Sequence, residues 1–176
     1  MLDVRVKTPP ELAPGEYEEI IALTTRAFQR DYTPYMESFV NPTHVLARCR
    51  DKLVSYVCWV TRWLQINEGP LLKTAYIEGL ATDSDYRHRG FALQVVRRAM
   101  AEVQGFDIAA TSTGLNDFFS SLRWQVWQGP LYCRKGQELI SMPGEQGCVM
   151  VFPLPKSPPL DLNQPLSIEW RELEPW

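Results

Sequence analysis

One stretch near the middle of the chain constrains the fold more than any other. Residues 76–93 read YIEGLATDSDYRHRGFAL, an apolar run followed by a short polar loop. Beyond the loop, apolar residues recur at the spacing of one helix face, namely Ala92, Val95, Val96, Ala99, Met100 and Val103. The pattern predicts a strand from Leu71 to Thr82 that leads through a loop into an amphipathic helix, with Gly105 as its C-cap.

The rest of the pattern predicts a single α+β domain. Strands are predicted at Leu2 to Lys7, His44 to Arg50, Leu53 to Trp63, Phe106 to Thr111, Trp124 to Trp127, Leu131 to Arg134 and Cys148 to Phe152. Further helices are predicted at Glu16 to Arg30, Pro34 to Val40 and Leu115 to Leu122. We therefore expect one domain over residues 1–176, with a mixed, mostly antiparallel sheet and helices on both faces. Residues 153–176 begin with PLPKSPP and are expected to form an extended C-terminal tail.

Composition excludes several classes of function. The formal net charge of -3 argues against a nucleic-acid partner and is compatible with a cationic ligand. The cysteines, Cys49, Cys58, Cys133 and Cys148, form no C-x-x-C pair and no metal-like spacing with His44 or His88. We therefore expect reduced thiols and no metal site. With no signal-peptide pattern and no apolar run of membrane length, the chain is predicted to be cytoplasmic, without a membrane partner.

The loop before the central helix has the chemistry of an anion site. Its residues Arg87-x-x-Gly90-x-Ala92 open the predicted helix, where backbone N–H groups lack internal partners and the helix dipole favours an anion. Gly90 lets the backbone approach phosphate groups, and Arg87 and Arg89 can add charge-assisted hydrogen bonds. Such a hexapeptide arises by chance in roughly one in five chains of this length. Its position between a strand and the clearest helix is what indicates a pyrophosphate cradle.

This segment resembles the acetyl-CoA-binding motif of the GNAT superfamily of N-acetyltransferases. The resemblance implies acetyl-CoA as co-substrate, with its pantetheine arm along Leu80, Ala81 and Thr82. It also implies a pyrophosphate site made by Arg87, His88, Arg89, Gly90, Phe91 and Ala92. The Leu80 backbone N–H would then stabilise the oxyanion of the transition state. The resemblance to the family also implies that the protein forms a homodimer.

Two positions depart from the superfamily pattern. Ser84 stands where many members have proline. Phe119, in Asn116-Asp-Phe-Phe119, stands where much of the superfamily has a tyrosine that is a candidate general acid. Because phenylalanine has no proton to give the departing thiolate, that role is vacant or filled elsewhere.

Other segments resemble a narrower family, the aminoglycoside 2'-N-acetyltransferases. The matching stretches are Ala27-Phe28-x-x-Asp31-Tyr-Thr33, Tyr76-Ile-Glu-Gly79, Trp124-x-x-Trp-x-Gly-Pro130 and Glu169-Trp-Arg-x-x-x-Pro-Trp176. The resemblance implies a cationic amine acceptor, an aminoglycoside such as kasugamycin, and antibiotic resistance as a role. The acceptor contacts are predicted to be Asp31, Glu78, Gly79, Ser112, Glu174 and Trp176, the last through its own carboxylate.

An amine must lose its proton before it attacks a thioester, so the site needs a base. Glu78 lies two residues before Leu80 on the predicted strand and could reach the amine directly or through water, with a raised pKa. Glu78, Leu80 and Trp176 are therefore the predicted catalytic residues. No cysteine or serine has an evident base partner in the sequence, which favours direct transfer within a ternary complex. As an alternative, Glu78 could be a structural ion-pair partner and the acidic tail an ordinary solvated end.

The sequence leaves two other functions open. The acceptor could be a polyamine, an amino acid or a protein N-terminus, with the same co-substrate. The chain could also be a non-catalytic acetyl-CoA-binding protein, which the phenylalanine at position 119 favours. The six tryptophans are expected to be core residues or hydrogen-bonded anchors, although four of them, Trp63, Trp124, Trp127 and Trp170, could stack on sugar rings of an aminoglycoside.

Overall fold

The computed structural model describes all residues of the chain, 1–176. Its strands are β1 Leu2–Lys7, β2 Thr43–Cys49, β3 Lys52–Ile66, β4 Leu71–Thr82, β5 Ile108–Ser112, β6 Gln125–Val126, β7 Leu131–Lys135, β8 Glu138–Ser141, β9 Val149–Pro153 and β10 Leu166–Glu169. The α-helices are α1 Glu16–Phe28, α2 Thr33–Ser38, α3 Phe91–Glu102 and α4 Asn116–Ser121. Short 3-10 turns lie at Pro9–Glu11, Ser84–Tyr86 and Pro143–Glu145. None of the helices combines the length and the apolar character needed to span a bilayer.

The chain forms two compact units. The first comprises Met1–Val60 and Ile77–Val103, and the second comprises Thr61–Tyr76 and Gln104–Trp176. Strands β3 and β4 are long enough that each contributes one part to each unit.

The first unit is built on an antiparallel ladder. β1 pairs with β2, Leu2 opposite Cys49, and β2 pairs with the first part of β3, Thr43 opposite Trp59. The strands predicted at His44 to Arg50 and Leu53 to Trp63 therefore form an antiparallel hairpin. Helix α3 packs on β1 and β2, and its apolar stripe is buried because Val95, Val96 and Ala99 repeat at helical spacing.

The second unit contains both parallel and antiparallel pairs. The first part of β4 runs parallel to β5, which is antiparallel to β9, and β9 is antiparallel to β6. β10 runs parallel to β7 and antiparallel to the end of β3, while β7 and β8 form a hairpin. The predicted class, α+β with a mixed and mostly antiparallel sheet, is confirmed.

Several predicted elements need correction. Helix α1 ends at Phe28 rather than Arg30, because Gln29 adopts a left-handed conformation with φ 55°. Two short strands, β8 and β10, were not predicted. The segment 153–176 is therefore not simply an extended tail on the surface, since Leu166–Glu169 is hydrogen-bonded to strands on both sides.

The structure also shows where the tryptophans and cysteines lie. Trp124 and Trp127 are 3% and 0% exposed, which confirms the expectation that tryptophans here are core residues and excludes these two as platforms for sugar rings. Trp127 is a core anchor whose Nε1 donates to the Gln164 carbonyl at 2.9 Å. All four cysteines are free thiols, of which Cys58 and Cys133 are buried.

Candidate functional site

The end of β4 is held by side chains of the neighbouring strand β3. The Ser55 hydroxyl donates to the Ala81 carbonyl at 3.1 Å and is hydrogen-bonded to the Thr82 hydroxyl at 2.9 Å. The Cys58 thiol donates to the Glu78 carbonyl at 3.6 Å. Leu80 and Thr82 are half-buried, whereas Ala81 is buried. The predicted pantetheine strand is thus fixed along its length, with alternate residues left accessible.

Gly79 interrupts the regular geometry of β4. Its φ of +66° is a conformation that side-chain-bearing residues rarely adopt. A Cβ at this position would lie 3.3 Å from Tyr56 Cε1 and 3.7 Å from both Cε1 and the hydroxyl of Tyr32. The two tyrosine rings therefore lie close to the backbone between Glu78 and Leu80, two of the residues for which the sequence predicts catalytic roles.

Asp83 anchors the loop that follows β4. Its backbone N–H donates to the Val54 carbonyl at 2.9 Å, and its carboxylate accepts the Asp85 N–H at 3.1 Å. The same carboxylate forms ion pairs with Lys52 at 3.0 Å and Arg26 at 3.7 Å. Burial acts to raise the pKa of Asp83, but the Lys52 hydrogen bond, the Asp85 N–H and the two cations hold that pKa below its usual range.

A cation–aromatic cluster shapes the next part of the loop. The centroid of the Tyr86 ring lies 4.9 Å from the Lys52 ammonium and 5.0 Å from the Arg89 guanidinium carbon. Arg89 also donates to the Asp85 carbonyl at 3.0 Å, and Tyr86 contacts Phe91 of α3. These contacts keep positive charge at the entrance to helix α3.

Helix α3 starts with an open glycine. Gly90 is the N-cap residue, with φ 76°, and no atom lies within 4 Å of where its Cβ would stand. The helix begins at Phe91, within the stretch Arg87 to Ala92 that the sequence predicts to open it, and its N-cap residue provides no side-chain hydrogen bond to the N–H groups of the first turn. Arg87, His88 and Arg89 are exposed around this start.

The arrangement fits a pyrophosphate. Free N–H groups of the first turn, the positive end of the α3 dipole and the cationic side chains of the loop all favour an anion in the open space beside Gly90. Residues Leu80–Thr82 end strand β4, which precedes the loop that leads to Gly90. This fixed strand can align an extended ligand arm that is attached to the phosphates.

The predicted base, Glu78, is half-buried on β4 in the first unit. It directly precedes Gly79, whose backbone is covered by Tyr32 and Tyr56. The carboxylate is thus shielded in part from water and lies next to the strand predicted to bind the pantetheine arm, and its role as a base stays a prediction.

Asp31 has a local structural role. Its carboxylate accepts the Thr33 N–H at 3.0 Å at the start of α2, and hydrogen bonds from Thr33 lower the pKa of Asp31. Beside it, Tyr32 stacks on Phe28 at 4.7 Å and on Tyr35 at 5.2 Å between ring centroids. The Asp31 side chain is nevertheless fully exposed and stays available to a ligand.

A buried polar pair supports the Tyr56 ring. His44 Nδ1 is hydrogen-bonded to the Tyr56 hydroxyl at 2.8 Å, and burial lowers the pKa of His44 to about 4. His44 also lines an open groove of about 630 Å³ together with Pro9, Leu12, Ala13, Pro14, Gly15, Tyr17, Glu18, Met36, Phe39, Asn41 and Pro42. None of the predicted site residues lines this groove.

Three of the predicted acceptor contacts lie in the second unit. The Ser112 hydroxyl donates to Glu145 at 3.0 Å. The Glu174 carbonyl accepts from Arg171 Nε at 2.9 Å. Trp176 is buried, with 3% of its surface exposed. Phe119 is a core residue of this unit that packs edge-on against Trp124 at 5.1 Å, so its position serves packing.

The tail is tied down by Arg62, a cation inside the otherwise apolar β3. Its Nε donates to the Glu169 carboxylate at 2.6 Å, and its Nη2 donates to the carbonyls of Glu169 at 2.6 Å and Pro175 at 2.8 Å. Arg134 lies 3.9 Å from the same carboxylate and donates to the Ser167 hydroxyl at 2.7 Å. Arg62 is 4% exposed.

Sequence reasoning missed several of these residues, chiefly Lys52, Tyr56, Asp83 and Arg62. The one signal present was Arg62, which interrupts the apolar run VCWVTRWLQI. A cation in such a run needs a buried partner, but the partners lie more than one hundred positions away along the chain.

Comparison with a family model gives one match. A model described as "Acetyltransferase (GNAT) domain" matches residues 9–110, more than half of the chain. The matched range contains β4, the loop and helix α3.

Solved structures share the fold. YhbS from Escherichia coli, a "GNAT Family N-acetyltransferase" solved in complex with CoA, has a TM-score of 0.68 and 21% identity and covers 98% of this chain and 92% of its own. ElaA from E. coli has a TM-score of 0.60 at 13% identity, covering 86% and 99%. Eis1 from Mycobacterium abscessus has a TM-score of 0.63 at 15% identity and covers 75% of this chain, which spans only 33% of Eis1. At these identities the similarity shows the fold.

Proposed function

The chain belongs to the GNAT family of acetyltransferases, and from this premise we propose that it transfers the acetyl group of acetyl-CoA to the 2'-amino group of an aminoglycoside-type amine. Acetyl-CoA is the co-substrate that the family uses. The observation that carries the proposal is the start of α3, where Gly90 leaves open space beside N–H groups that no side chain caps.

Different residues of the first unit are proposed to bind different parts of acetyl-CoA. Leu80, Ala81 and Thr82 align the pantetheine arm, since Ser55 holds their strand in place. The N–H groups of Phe91 and Ala92 and the side chains of Arg87, His88 and Arg89 bind the pyrophosphate. Gly90 gives the phosphates access to the backbone.

The proposed reaction is a direct attack of the amine on the thioester. Glu78, directly or through water, takes the proton of the attacking amine, and the Leu80 N–H stabilises the oxyanion. The C–N bond forms and the C–S bond breaks, so the sulfur leaves as a thiolate. A thiol of ordinary pKa, about 8.5, is a tolerable leaving group without an acid. The absence of a hydroxyl at Phe119 is therefore compatible with turnover.

A cationic aminoglycoside, kasugamycin among them, is the proposed acceptor. The spread of motifs shared with the aminoglycoside 2'-N-acetyltransferases supports it, as do the net charge of -3 and the exposed Asp31 carboxylate. Gly79 is proposed as an acceptor contact beside Glu78. Ser112, Glu174 and Trp176 of the second unit are proposed acceptor contacts as well, each to be tested by its own variant.

One observation favours a second candidate function. Phe119 is buried in an aromatic cluster and offers no acid, which suits a protein that binds acetyl-CoA without turnover. A polyamine or another small amine is the alternative acceptor within the same chemistry.

The experiment that decides among these functions is thiol release from acetyl-CoA with kasugamycin, a deoxystreptamine aminoglycoside, spermidine and a peptide, each at matched concentration. We expect thiol release with an aminoglycoside. Thiol release with spermidine alone would mean that the acceptor is a polyamine and not an aminoglycoside. Binding of acetyl-CoA by calorimetry with no release for any amine would favour the non-catalytic function.

A further inference from the structure

We propose that the open groove of the first unit is a binding site for a small amine with an apolar body. The groove has a volume of about 630 Å³, and its lining includes Tyr17, Glu18, Met36, Phe39 and His44. All of its lining residues belong to Met1–Val60, and none of them has a proposed role in acetyl transfer. The site is therefore additional to the one proposed for acetyl-CoA and its acceptor.

His44 is a buried polar side chain at this groove, and one of its ring nitrogens has no partner. Only 1% of the residue is exposed, and Nδ1 is hydrogen-bonded to the Tyr56 hydroxyl at 2.8 Å. The other ring nitrogen, Nε2, has no hydrogen-bond partner within the protein. It is not fully enclosed either, since the groove reaches His44. Because buried polar atoms are nearly always hydrogen-bonded, a nitrogen left open toward a groove indicates a ligand.

The hydrogen bonds behind His44 make Nε2 an acceptor. The Tyr56 hydroxyl donates to Met36 Sδ at 3.9 Å, so the proton between His44 and Tyr56 belongs to Nδ1. Burial lowers the pKa of His44 to about 4, so the ring is neutral at neutral pH and Nε2 keeps its lone pair. A ligand that meets this nitrogen must therefore donate a hydrogen bond.

The charges around the groove favour a cationic donor. The lining segments 9–18 and 36–44 contain no lysine or arginine but four carboxylates, those of Glu11, Glu16, Glu18 and Glu37. Lys7 and Arg48 form ion pairs with Glu16 at 2.6 and 3.4 Å, and Arg48 also pairs with Glu19. Five carboxylates therefore face two cations, and the positive end of the α1 dipole offsets only about half a charge more. The remaining negative charge favours an ammonium over a neutral donor.

The acidic and apolar parts of the groove meet at Tyr17. Burial raises the pKa of the Tyr17 hydroxyl, and the carboxylates of Glu37 and Glu18 raise it further, so both lie near this side chain. Neither carboxylate forms an ion pair within the protein. Much of the remaining lining is apolar, including Pro9, Leu12, Pro14, Phe39 and Pro42. An amine with an apolar body suits both parts, because its body packs on these residues and its ammonium donates to His44 Nε2.

Nitrogen-15 NMR of the histidine rings tests the site on the full chain without acetyl-CoA. The chain has only two histidines, and the exposed His88 is the internal control, identified by its loss in His88→Gln. Phenethylamine at neutral pH should shift the His44 Nε2 resonance saturably, whereas His88 should not respond. 2-Phenylethanol, which has a hydroxyl in place of the ammonium, should bind at least about tenfold more weakly.

A pair of charge variants tests the acidic side of the groove. Glu18→Gln should raise the Kd for phenethylamine about threefold, the size expected for one exposed carboxylate. Glu138→Gln is the matched control, because Glu138 is exposed on β8 in the second unit and the change of charge is the same. Equal values of Kd in the two variants would contradict a role of Glu18 in selecting the amine.

The spectra can also overturn the site itself. Binding of phenethylamine by calorimetry without a His44 shift would place the amine elsewhere, and a proton on Nε2 in the free protein would leave no acceptor for it. Equal affinity for 2-phenylethanol would mean that the groove does not select a cation. A His44 resonance that moves with protein concentration alone would assign the groove to a second copy of the chain. Since no measurement uses acetyl-CoA, each result is independent of the proposed acetyl transfer.

Discussion

Gly79 packs so closely against Tyr56 that a methyl group at position 79 would fit only if the Tyr56 ring shifted by a few tenths of an ångström. The Cβ that any other residue would bring to position 79 lies 3.3 Å from Tyr56 Cε1. Because Tyr56 is fully buried and hydrogen-bonded to His44, its ring has little freedom to move away. The backbone geometry between Glu78 and Leu80 therefore depends on a glycine and on one tyrosine rotamer.

Gly79→Ala should destabilise the protein for two reasons, the left-handed backbone and the tight contact. The backbone alone costs about 1–2 kcal/mol, and the crowded Cβ should add about 1 kcal/mol or more. Gly136→Ala is the matched control, because Gly136 has φ 61° but no atom within 4 Å of its Cβ position. Chemical denaturation should show the larger loss for Gly79→Ala, and equal losses would show that the Tyr56 ring adapts.

Gly90→Trp should remove acetyl-CoA binding while the protein stays folded. The indole would occupy the open space at the start of α3 that we assign to the pyrophosphate. Gly15→Trp is the control, since Gly15 is also a left-handed N-cap glycine, of helix α1, with nothing within 4 Å. Calorimetry should show at least about a tenfold rise in Kd, roughly 1.4 kcal/mol, for Gly90→Trp only. Similar affinity in the two variants would contradict the cradle.

Glu78→Gln should lower the turnover rate far more than it weakens the affinity for acetyl-CoA. Loss of a general base typically costs about 10²–10⁴ in rate, whereas the Kd for acetyl-CoA should not change. Glu138→Gln, at an exposed strand position, controls for the change of charge. Thiol release measured across pH should lose its acidic limb in the Glu78 variant, and an unchanged pH profile would leave Glu78 as a structural or binding residue.

Asp83→Asn should loosen the loop and weaken acetyl-CoA binding. Because the folded state lowers the pKa of Asp83 below its ordinary 3.8, the ionised carboxylate stabilises the fold above that pH. This stabilisation is lost as the pH falls through the folded-state pKa. The difference in unfolding free energy between wild type and Asp83→Asn should therefore shrink as the solution is acidified below about pH 4. Asp85→Asn, an exposed neighbour, should show no such convergence.

His44 should make stability fall as the pH drops from neutral toward 4. The pKa of His44 is lowered by burial from 6.5 to about 4, so between these values the unfolded chain binds a proton that the folded chain does not. A difference of this size corresponds to roughly 3 kcal/mol at most. His44→Gln should flatten the dependence of unfolding free energy on pH over this interval. An unchanged slope would assign the acid sensitivity to other groups.

Much of the first unit could be predicted because its signals are local. β1, β4 and the start of α3 follow from alternation, from helical spacing and from one glycine, all within a few residues of each other. The start of the helix within Arg87 to Ala92 was predicted in the same way and agrees with the structure, whereas the binding of pyrophosphate by these residues stays a prediction.

The elements that were missed depend on distant partners. β10 is only four residues long, and its pairing with β7 and β3 brings together positions separated by roughly 35 and 100 residues along the chain. Nothing near Leu166 in the sequence specifies either neighbour. The burial of Trp124 and Trp127 was likewise decided by packing, since aromatic residues suit both a core and a sugar platform.

The sequence by itself determined the fold class, because periodicity and turn residues act through neighbouring backbone, and its resemblance in motifs gave the family. Only the tertiary structure decided that Tyr56 and Tyr32 cover Gly79, that Lys52 and Arg26 hold Asp83, and that Arg62 and Trp176 keep unsatisfied donors. Such contacts join residues far apart in the chain. Their existence depends on how side chains fill space and share charge once the strands are paired, which no local pattern encodes.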